Sequence, residues 1–274
     1  MSLLEAIVLG IVQGLTEFLP ISSTGHLRIV PAFLGWEDPG AAFTAVVQLG
    51  TMAAVLLYFR EDLIKIASAW LASVRDRERR RELDARLGWY IVLGTIPIGI
   101  FGLLFKDQIE TGARDLYLIG IALIVFGLVM YVADRVGTLR RQIEQVETKD
   151  GFWMGMAQAL ALIPGVSRSG ATISAGLFLG LDRTAAARFS FLLSVPAVVL
   201  SGLFELASII GGDEGQHVGA GSLVVATLLA FVVGYASIAF LLRFLTTHTL
   251  FVFVAYRVVL GAIVLALAGA DAID

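Results

Sequence analysis

The sequence predicts an all-α polytopic membrane protein with six transmembrane helices and two re-entrant helical hairpins in an inverted repeat. Three observations lead there. Hydrophobic residues make up 58% of the 274 residues and charged residues 16%, with a mean hydropathy of +0.86, whereas soluble domains run nearer half apolar and a quarter charged. The apolar residues fall in long blocks nearly free of charge, each close to the ~20 residues that cross a hydrocarbon core of about 30 Å. Two further stretches share a broken pattern: an apolar run, a Pro/Ser/Gly break, and a second run too short to span.

The first broken stretch covers 3–35. In lipid, a broken helix is tolerated only where its freed backbone groups face protein or a watery cavity, so 3–35 reads as a re-entrant hairpin. Crossings follow at 41–59, 89–105 and 116–134. A second hairpin at 151–180 precedes crossings at 184–210, 221–243 and 250–268. The stretch 60–88 carries eight basic residues: Arg60, Lys65, Arg75, Arg77, Arg79, Arg80, Arg81 and Arg86. Its 75–86 charge run reads as a solvated segment that can touch anionic lipid. The loop near 135–150 adds Arg135, Arg140, Arg141 and Lys149, whereas 106–115 has only Lys106 and Arg114, and 211–220 has none. The positive-inside rule therefore places 60–88 and 135–150 in the cytoplasm and both termini outside. Six crossings between those termini agree with that parity. The N-terminal stretch lacks a basic region and a small-residue cleavage site, which predicts no cleaved signal peptide.

An internal repeat runs through this layout. Residues 10–25 (GIVQGLTEFLPISSTG) resemble 155–170 (GMAQALALIPGVSRSG) with one gap. Both place Gln three residues after Gly, then Leu, then Pro, then a Ser/Thr-Gly step. The expected organisation is one membrane domain over 1–274, with a first repeat at 1–140 and a second at 151–274. Each repeat is one hairpin plus three crossings, and an odd number of crossings inverts the second copy. Inverted repeats of this kind place a site near the midplane, where half-helix N-termini converge.

The chemistry-bearing residues gather at the breaks. Gln13 and Glu17 lie four apart, on one helix face. Ser22, Ser23, Thr24 and Gly25 form an N-cap cluster, as do Ser167, Arg168, Ser169, Gly170 and Thr172. Unpaired N–H groups and the positive dipole end make such a helix start an anion site, and arginine offers the forked geometry that phosphate oxygens accept in pairs. Glu17, His26 and Arg168 are the ionisable residues at the depth of the breaks, where charge is costly and usually functional. Glu17 with Arg168 can alternatively be a bare ion pair between hairpins. His26, beside Ser22, Ser23 and a carboxylate, reads as a general acid/base or a nucleophile. Arg257 lies within a crossing and can line the site, snorkel or pair with a carboxylate. His217 and His248 read as solvated. The absence of cysteine excludes disulfide and thiolate chemistry, and no nucleotide-binding glycine loop, zinc motif or nucleic-acid module appears.

On these residues the chain resembles the undecaprenyl pyrophosphate phosphatases of the bacitracin-resistance type. The family's Glu/Gln-x-x-x-Glu motif is matched by Gln13 and Glu17, followed by Pro-x-Ser-Ser-x-Gly-His at Pro20 to His26. Its Pro-Gly-x-Ser-Arg-Ser-Gly-x-Thr motif is matched by Pro164 to Thr172. One departure from some members is Gln at position 13, which removes a carboxylate. The resemblance implies hydrolysis of undecaprenyl pyrophosphate in the bacterial cell membrane, assisted by a divalent cation, Mg²⁺ or Ca²⁺, at a site opening to the outer face. It implies Glu17 as the metal ligand, or as the group that orients His26, and catalytic roles for Glu17, Ser23, His26 and Arg168. Ser23 is the expected nucleophile with His26 as its base; water activated by His26 is the other route. Gln13, Ser22, Thr24, Ser167, Ser169, Gly170 and Thr172 are the expected substrate contacts. The expected partners are the polyprenyl pyrophosphate and membrane lipids, with a homodimer as an option. The alternative is a flippase or transporter that moves polyprenyl phosphate or another anion through the same site.

Overall fold

The computed structural model describes residues 1–105, 115–210 and 219–273. Lys106, Arg114 and His217 lie outside the described residues. Among the described residues there are eleven α-helices, three short 3-10 turns and no strand. The helices are α1 (Leu3–Phe18), α2 (Ser23–Leu34), α3 (Gly40–Tyr58), α4 (Arg60–Arg75), α5 (Leu83–Leu104) and α6 (Leu116–Val136), then α7 (Thr148–Ala159), α8 (Arg168–Phe178), α9 (Arg183–Ile210), α10 (Ala220–Phe244) and α11 (Phe251–Gly269).

Local chemistry explains several boundaries. Ser2 opens α1 with a capping box: its Oγ accepts from Glu5 N–H while the Glu5 carboxylate accepts from Ser2 N–H. Asp115 opens α6 by accepting from the N–H groups of Tyr117 and Leu118. Gly35, at φ 66°, ends α2 in the left-handed conformation that only glycine adopts without penalty.

Helices α5, α6, α9, α10 and α11 are long and apolar enough to cross a membrane, and α3 joins α4 through a bend of 75°. The chain is therefore a multi-pass membrane protein. Its outer surface agrees, since large apolar side chains such as Leu103, Ile121, Leu228 and Val259 are exposed, as lipid contact requires. By contrast α1, α2, α7 and α8 have 16, 12, 12 and 11 residues, short of the ~20 that span.

Small residues set the packing. A Cβ on Gly10 would meet the Ala226 carbonyl oxygen at 2.5 Å, and one on Gly14 would meet Gly234 N at 2.8 Å, so α1 lies backbone-to-backbone against α10. Gly155 on α7 meets Gly94 on α5 in the same manner. The contacts come in matched pairs: α1 on α10 and α7 on α5, then α3 on α10 and α9 on α5, while α3 meets α9 and α6 meets α11. At one end of the bundle three ion pairs tie elements together. Arg188 holds both oxygens of Asp62. Arg183 meets Asp134 at 2.5 Å. Arg141 makes a forked pair with the buried Asp150.

Two segments differ from expectation. The basic stretch 60–88 contains a helix that the sequence reading did not separate out, α4 over 60–75, while 75–82 is exposed as expected of the charge run. This helix buries Ile66 and Ser73 and exposes Ile64, Leu71 and Val74 on another face; its charged residues mask the apolar periodicity. Helix α5 starts at Leu83 rather than 89, because Ala85, Leu87 and Gly88 pack inward while Arg86 bonds the Val146 carbonyl.

Gly14→Val should lower the unfolding free energy by about 1–3 kcal/mol, the usual cost of overpacking, read as a lowered unfolding midpoint in detergent. Gly99→Ala, where an added Cβ meets nothing within 4 Å, should not lower it.

Candidate active site

Two broken helices build the site. The chain leaves α1 at Phe18 and re-enters helix at Ser23; it leaves a 3-10 turn at Leu162 and re-enters at Arg168. At each break the N-cap is a serine with positive φ: Ser22 at 78° and Ser167 at 72°. Such a conformation costs a side-chain-bearing residue ~1–3 kcal/mol. Each serine recovers part of that through its own hydroxyl. Ser22 Oγ accepts from Gly25 N–H at 3.4 Å and Ser167 Oγ from Gly170 N–H at 3.2 Å. A Cβ on either glycine would approach the capping oxygen to 3.3 Å, so the Ser-x-x-Gly spacing is a steric demand of the cap. The first N–H groups of α2 and α8 have no acceptor within their own helices.

Arg257, fully buried on α11, joins the two breaks. Its guanidinium donates to five backbone carbonyls, those of Pro20, Ala122, Leu123, Gly165 and Val166. The expectation of a site-lining, snorkelling or carboxylate-paired arginine gives way to a backbone clamp. The reason is that both breaks leave carbonyls in an apolar interior, where an unpaired polar group is expensive.

The clamp leaves Glu17 and Arg168 facing one another from opposite breaks. Arg168 Nη2 donates to Glu17 Oε1 at 2.5 Å, with 16% and 9% of the two side chains exposed. Ser23 Oγ donates to Glu17 Oε2 at 2.6 Å, and Gln13 Nε2 adds a longer bond at 3.2 Å. The Gln13 amide also reaches Thr51 Oγ at 3.4 Å, while its Oε1 is buried with no hydrogen-bond partner among the described residues. These groups open onto a cavity of about 170 Å³. Gln13, Glu17, Ser22, Ser23 and Thr24 line one side, with Ser167 and Arg168 opposite.

The structure thus gathers seven of the expected site residues. It does not bring His26, Ser169, Gly170 or Thr172 to the cavity. His26 is 4% exposed and points away: Nδ1 bonds the Ser22 carbonyl and Nε2 the Tyr256 hydroxyl, each at 2.7 Å. With both nitrogens occupied, His26 is not placed to take the Ser23 proton, and the carboxylate of Glu17 is. Ser169 donates to the Leu19 carbonyl across to the other break, and Thr172 shares a 2.5 Å bond with Ser190. Gly170 serves the Ser167 cap. These three lie past the cap, where side chains turn into neighbouring helices.

Two polar lining residues escape a reading of the sequence, Thr44 and Gln48 on α3. Thr44 spends its hydroxyl hydrogen on the Gly40 carbonyl. The Gln48 carbonyl accepts from Thr51 Oγ, so α3 supports Gln13 from behind. A polar residue recurring on one face of an otherwise apolar helix is the signal that could have found them. His248 is exposed and stacked on Phe244, as expected of a solvated residue.

A family model described as bacitracin resistance protein BacA matches residues 6–263. The chain is 57% identical over 264 residues to an undecaprenyl-diphosphatase of Nocardioides sp., covering 96% of each chain. It is similarly 57% identical over 270 residues to an undecaprenyl-diphosphatase of Mycolicibacterium smegmatis, covering 98% of each. One from Thermobifida fusca is 54% identical over 267 residues, covering 97% of this chain and 90% of the relative.

Arg257→Lys and Arg257→Met should each lose stability on the order of 3 kcal/mol, since hydrogen bonds to a charged group contribute the larger share. The measurement is the denaturant midpoint of detergent-purified protein. A lysine variant as stable as the parent would show that charge, and not the planar fork, closes the breaks.

Proposed function

Because the chain belongs to the bacitracin resistance protein BacA family, we infer that it hydrolyses undecaprenyl diphosphate to undecaprenyl phosphate and inorganic phosphate. The reaction recycles the lipid carrier of cell-wall synthesis and underlies bacitracin resistance. The observation that carries the reading is the Glu17 carboxylate, held by Arg168 from the opposite break and bonded to the Ser23 hydroxyl. An anionic headgroup finds a guanidinium and two helix starts there, and a nucleophile already bonded to a base.

Ser23 attacks the terminal phosphorus while Glu17 takes the hydroxyl proton. The bond from that phosphorus to the bridging oxygen breaks, and undecaprenyl phosphate leaves. Water then attacks the phosphoserine phosphorus and the P–Oγ bond breaks; Glu17 returns its proton to Ser23 Oγ, and inorganic phosphate leaves carrying the water's oxygen and protons. Arg168 and the free N–H groups at the starts of α2 and α8 hold the equatorial oxygens and stabilise their developing charge. Water attacking directly, with Glu17 as base, is the second route, and the same 2.6 Å bond orients it. His26 is a positioning residue that fixes the Ser22 carbonyl at the strained cap.

The donor set suits a hard divalent cation such as Mg²⁺ or Ca²⁺. Among the described residues no three His, Asp or Glu side chains come together, so the protein offers one carboxylate, Glu17. Gln13 bonds Glu17 through Nε2, and its buried, unpartnered Oε1 would supply a second oxygen donor once the amide is turned over. One or two protein oxygens plus phosphate oxygens is the set Mg²⁺ ordinarily takes. When bound, the cation supplies neutralisation of the diphosphate charge.

The membrane arrangement we propose has six crossings, α3, α5, α6, α9, α10 and α11, with α1–α2 and α7–α8 as re-entrant hairpins. The matched packing of α1 on α10 with α7 on α5, and the shared geometry of Ser22 and Ser167, support two inverted repeats, 1–140 and 151–274. Both termini lie outside, the cavity opens to the outer face, and the ion pairs of Asp62, Asp134 and Asp150 close the cytoplasmic end. A carrier moving the same lipid without chemistry would have no use for a carboxylate bonded to a serine hydroxyl, and nothing in the relatives' names favours one.

Phosphate release from undecaprenyl diphosphate tests the function. Glu17→Gln and Ser23→Ala should each lower kcat by at least ~10², the usual worth of a positioned base or nucleophile. EDTA should abolish release and added Mg²⁺ or Ca²⁺ should restore it. Normal turnover in Ser23→Ala would remove the serine as nucleophile and leave the water route.

A further inference from the structure

The cavity has a second, apolar wall that the chemistry above does not use. Ile98 on α5, Ala161 and Leu162 in the 3-10 turn, and Ala197 and Val198 on α9 line it. Helices α5 and α9 touch below this wall, where a Cβ on Gly94 would meet Leu193 Cδ1 at 2.7 Å. Above the contact each helix leans on a different neighbour. Gly202 on α9 sits against Leu49 and Met52 of α3, while Gly102 on α5 sits toward Leu162 of the turn. One turn beyond the Gly94–Leu193 contact, Ile98 and Ala197 therefore face the cavity from opposite sides of a gap. Each follows a proline within its helix, Pro97 and Pro196, and proline removes the amide that would bond the carbonyl four residues back, easing divergence. Further along the same two helices Leu103, Leu104 and Leu200 are exposed.

We propose that the prenyl chain of the substrate leaves the cavity between α5 and α9, its first isoprene units lying against Ile98, Leu162 and Val198. The inference rests on the proposed lipid diphosphatase reading and names where the lipid part of that substrate binds. An amphipathic ligand with its diphosphate between Glu17 and Arg168 must place its chain on an apolar path to the bilayer. The opposite side of the cavity is closed to such a chain by polar groups, with Thr44 and Gln48 on α3 beside Gln13 and Thr24. The α5–α9 gap joins the reacting end to lipid without carrying a prenyl group past a charge.

Two measurements test this. In the first, kcat/KM is compared for undecaprenyl diphosphate and for isopentenyl diphosphate, whose chain ends near the cavity. Ile98→Trp and Val198→Trp should lower the ratio of the long to the short substrate by roughly tenfold, and Leu228→Trp, on the lipid face of α10, should leave the ratio unchanged. A ratio that stays constant in the first two variants, whether or not both rates fall together, would overturn the proposal. In the second, wild-type protein is photolabelled with a farnesyl phosphate carrying a diazirine on its first isoprene unit. Labelling should map to the peptides of Ile98, Leu162 or Val198; labelling confined to α10 or α11 would overturn it. Because photolabelling needs no turnover, it reads the chain path even if diphosphate hydrolysis fails, so the two readings fail separately.

Discussion

Two opposite charges, set face to face from two separate helix breaks, are what the rest of this protein is arranged to hold. Inside a membrane-spanning bundle neither Glu17 nor Arg168 is tolerable alone, and each is carried by a segment that must stop being helical to present it. The close packing of α1 against α10 through Gly10 and Gly14 fixes the carboxylate. The packing of α8 against α6, α7 and α9 fixes the guanidinium. A 2.5 Å contact between groups borne by different breaks requires both scaffolds to be rigid, which explains why backbone-to-backbone glycine contacts accompany the site. A buried ion pair contributes little net stability; in the mechanism proposed above it keeps an anion-binding cation desolvated and aimed until a headgroup arrives.

The two breaks share their local cap geometry and differ in chemistry. Ser22 and Ser167 share a strained conformation, and Gly25 and Gly170 serve the same cap. Yet the residue after each capping serine is Ser23 in one break and Arg168 in the other. Four residues after Gln13 stands Glu17; four residues after Gln158 stands Leu162. The first break holds a carboxylate and a serine hydroxyl bonded to it, and the second holds the guanidinium and an apolar turn. Gln158 shows what the symmetry leaves behind, a fully buried amide with neither end bonded among the described residues. That division also produces the cavity's two-sided character, polar toward α3 and apolar toward α5 and α9.

Much of this was legible in the sequence because lipid is an unforgiving solvent. Long uncharged runs can only be spans or core, so the long helices stand within a few residues of their expected limits. Glu17 and Arg168 stood out because charge at that depth needs a partner. The same signal pointed to His26 as a catalyst, and spacing alone could not tell that its ring turns to Tyr256, 230 residues away in the chain. Arg257 was ambiguous for the same reason, since its partners are carbonyls and carbonyls have no letter in a sequence. Thr44 and Gln48 were hidden because each is a single uncharged polar residue in an apolar run, and only their recurrence on one face of α3 marks them. Helix α4 was hidden by charges that interrupt its apolar stripe. Positive φ at Ser22 and Ser167 was not predictable from residue type, because glycine is the usual occupant of such a position.

The clamp made by Arg257 also has a chronology. It belongs to the last helix, and it bonds the Pro20 carbonyl 237 residues earlier in the chain. During synthesis both broken segments enter the bilayer long before that side chain exists, so their freed carbonyls must wait on water or lipid headgroups. The nascent chain therefore passes through a stage in which the site residues are made and the carbonyls at the breaks lack their clamp. Translation of α11 closes that interval.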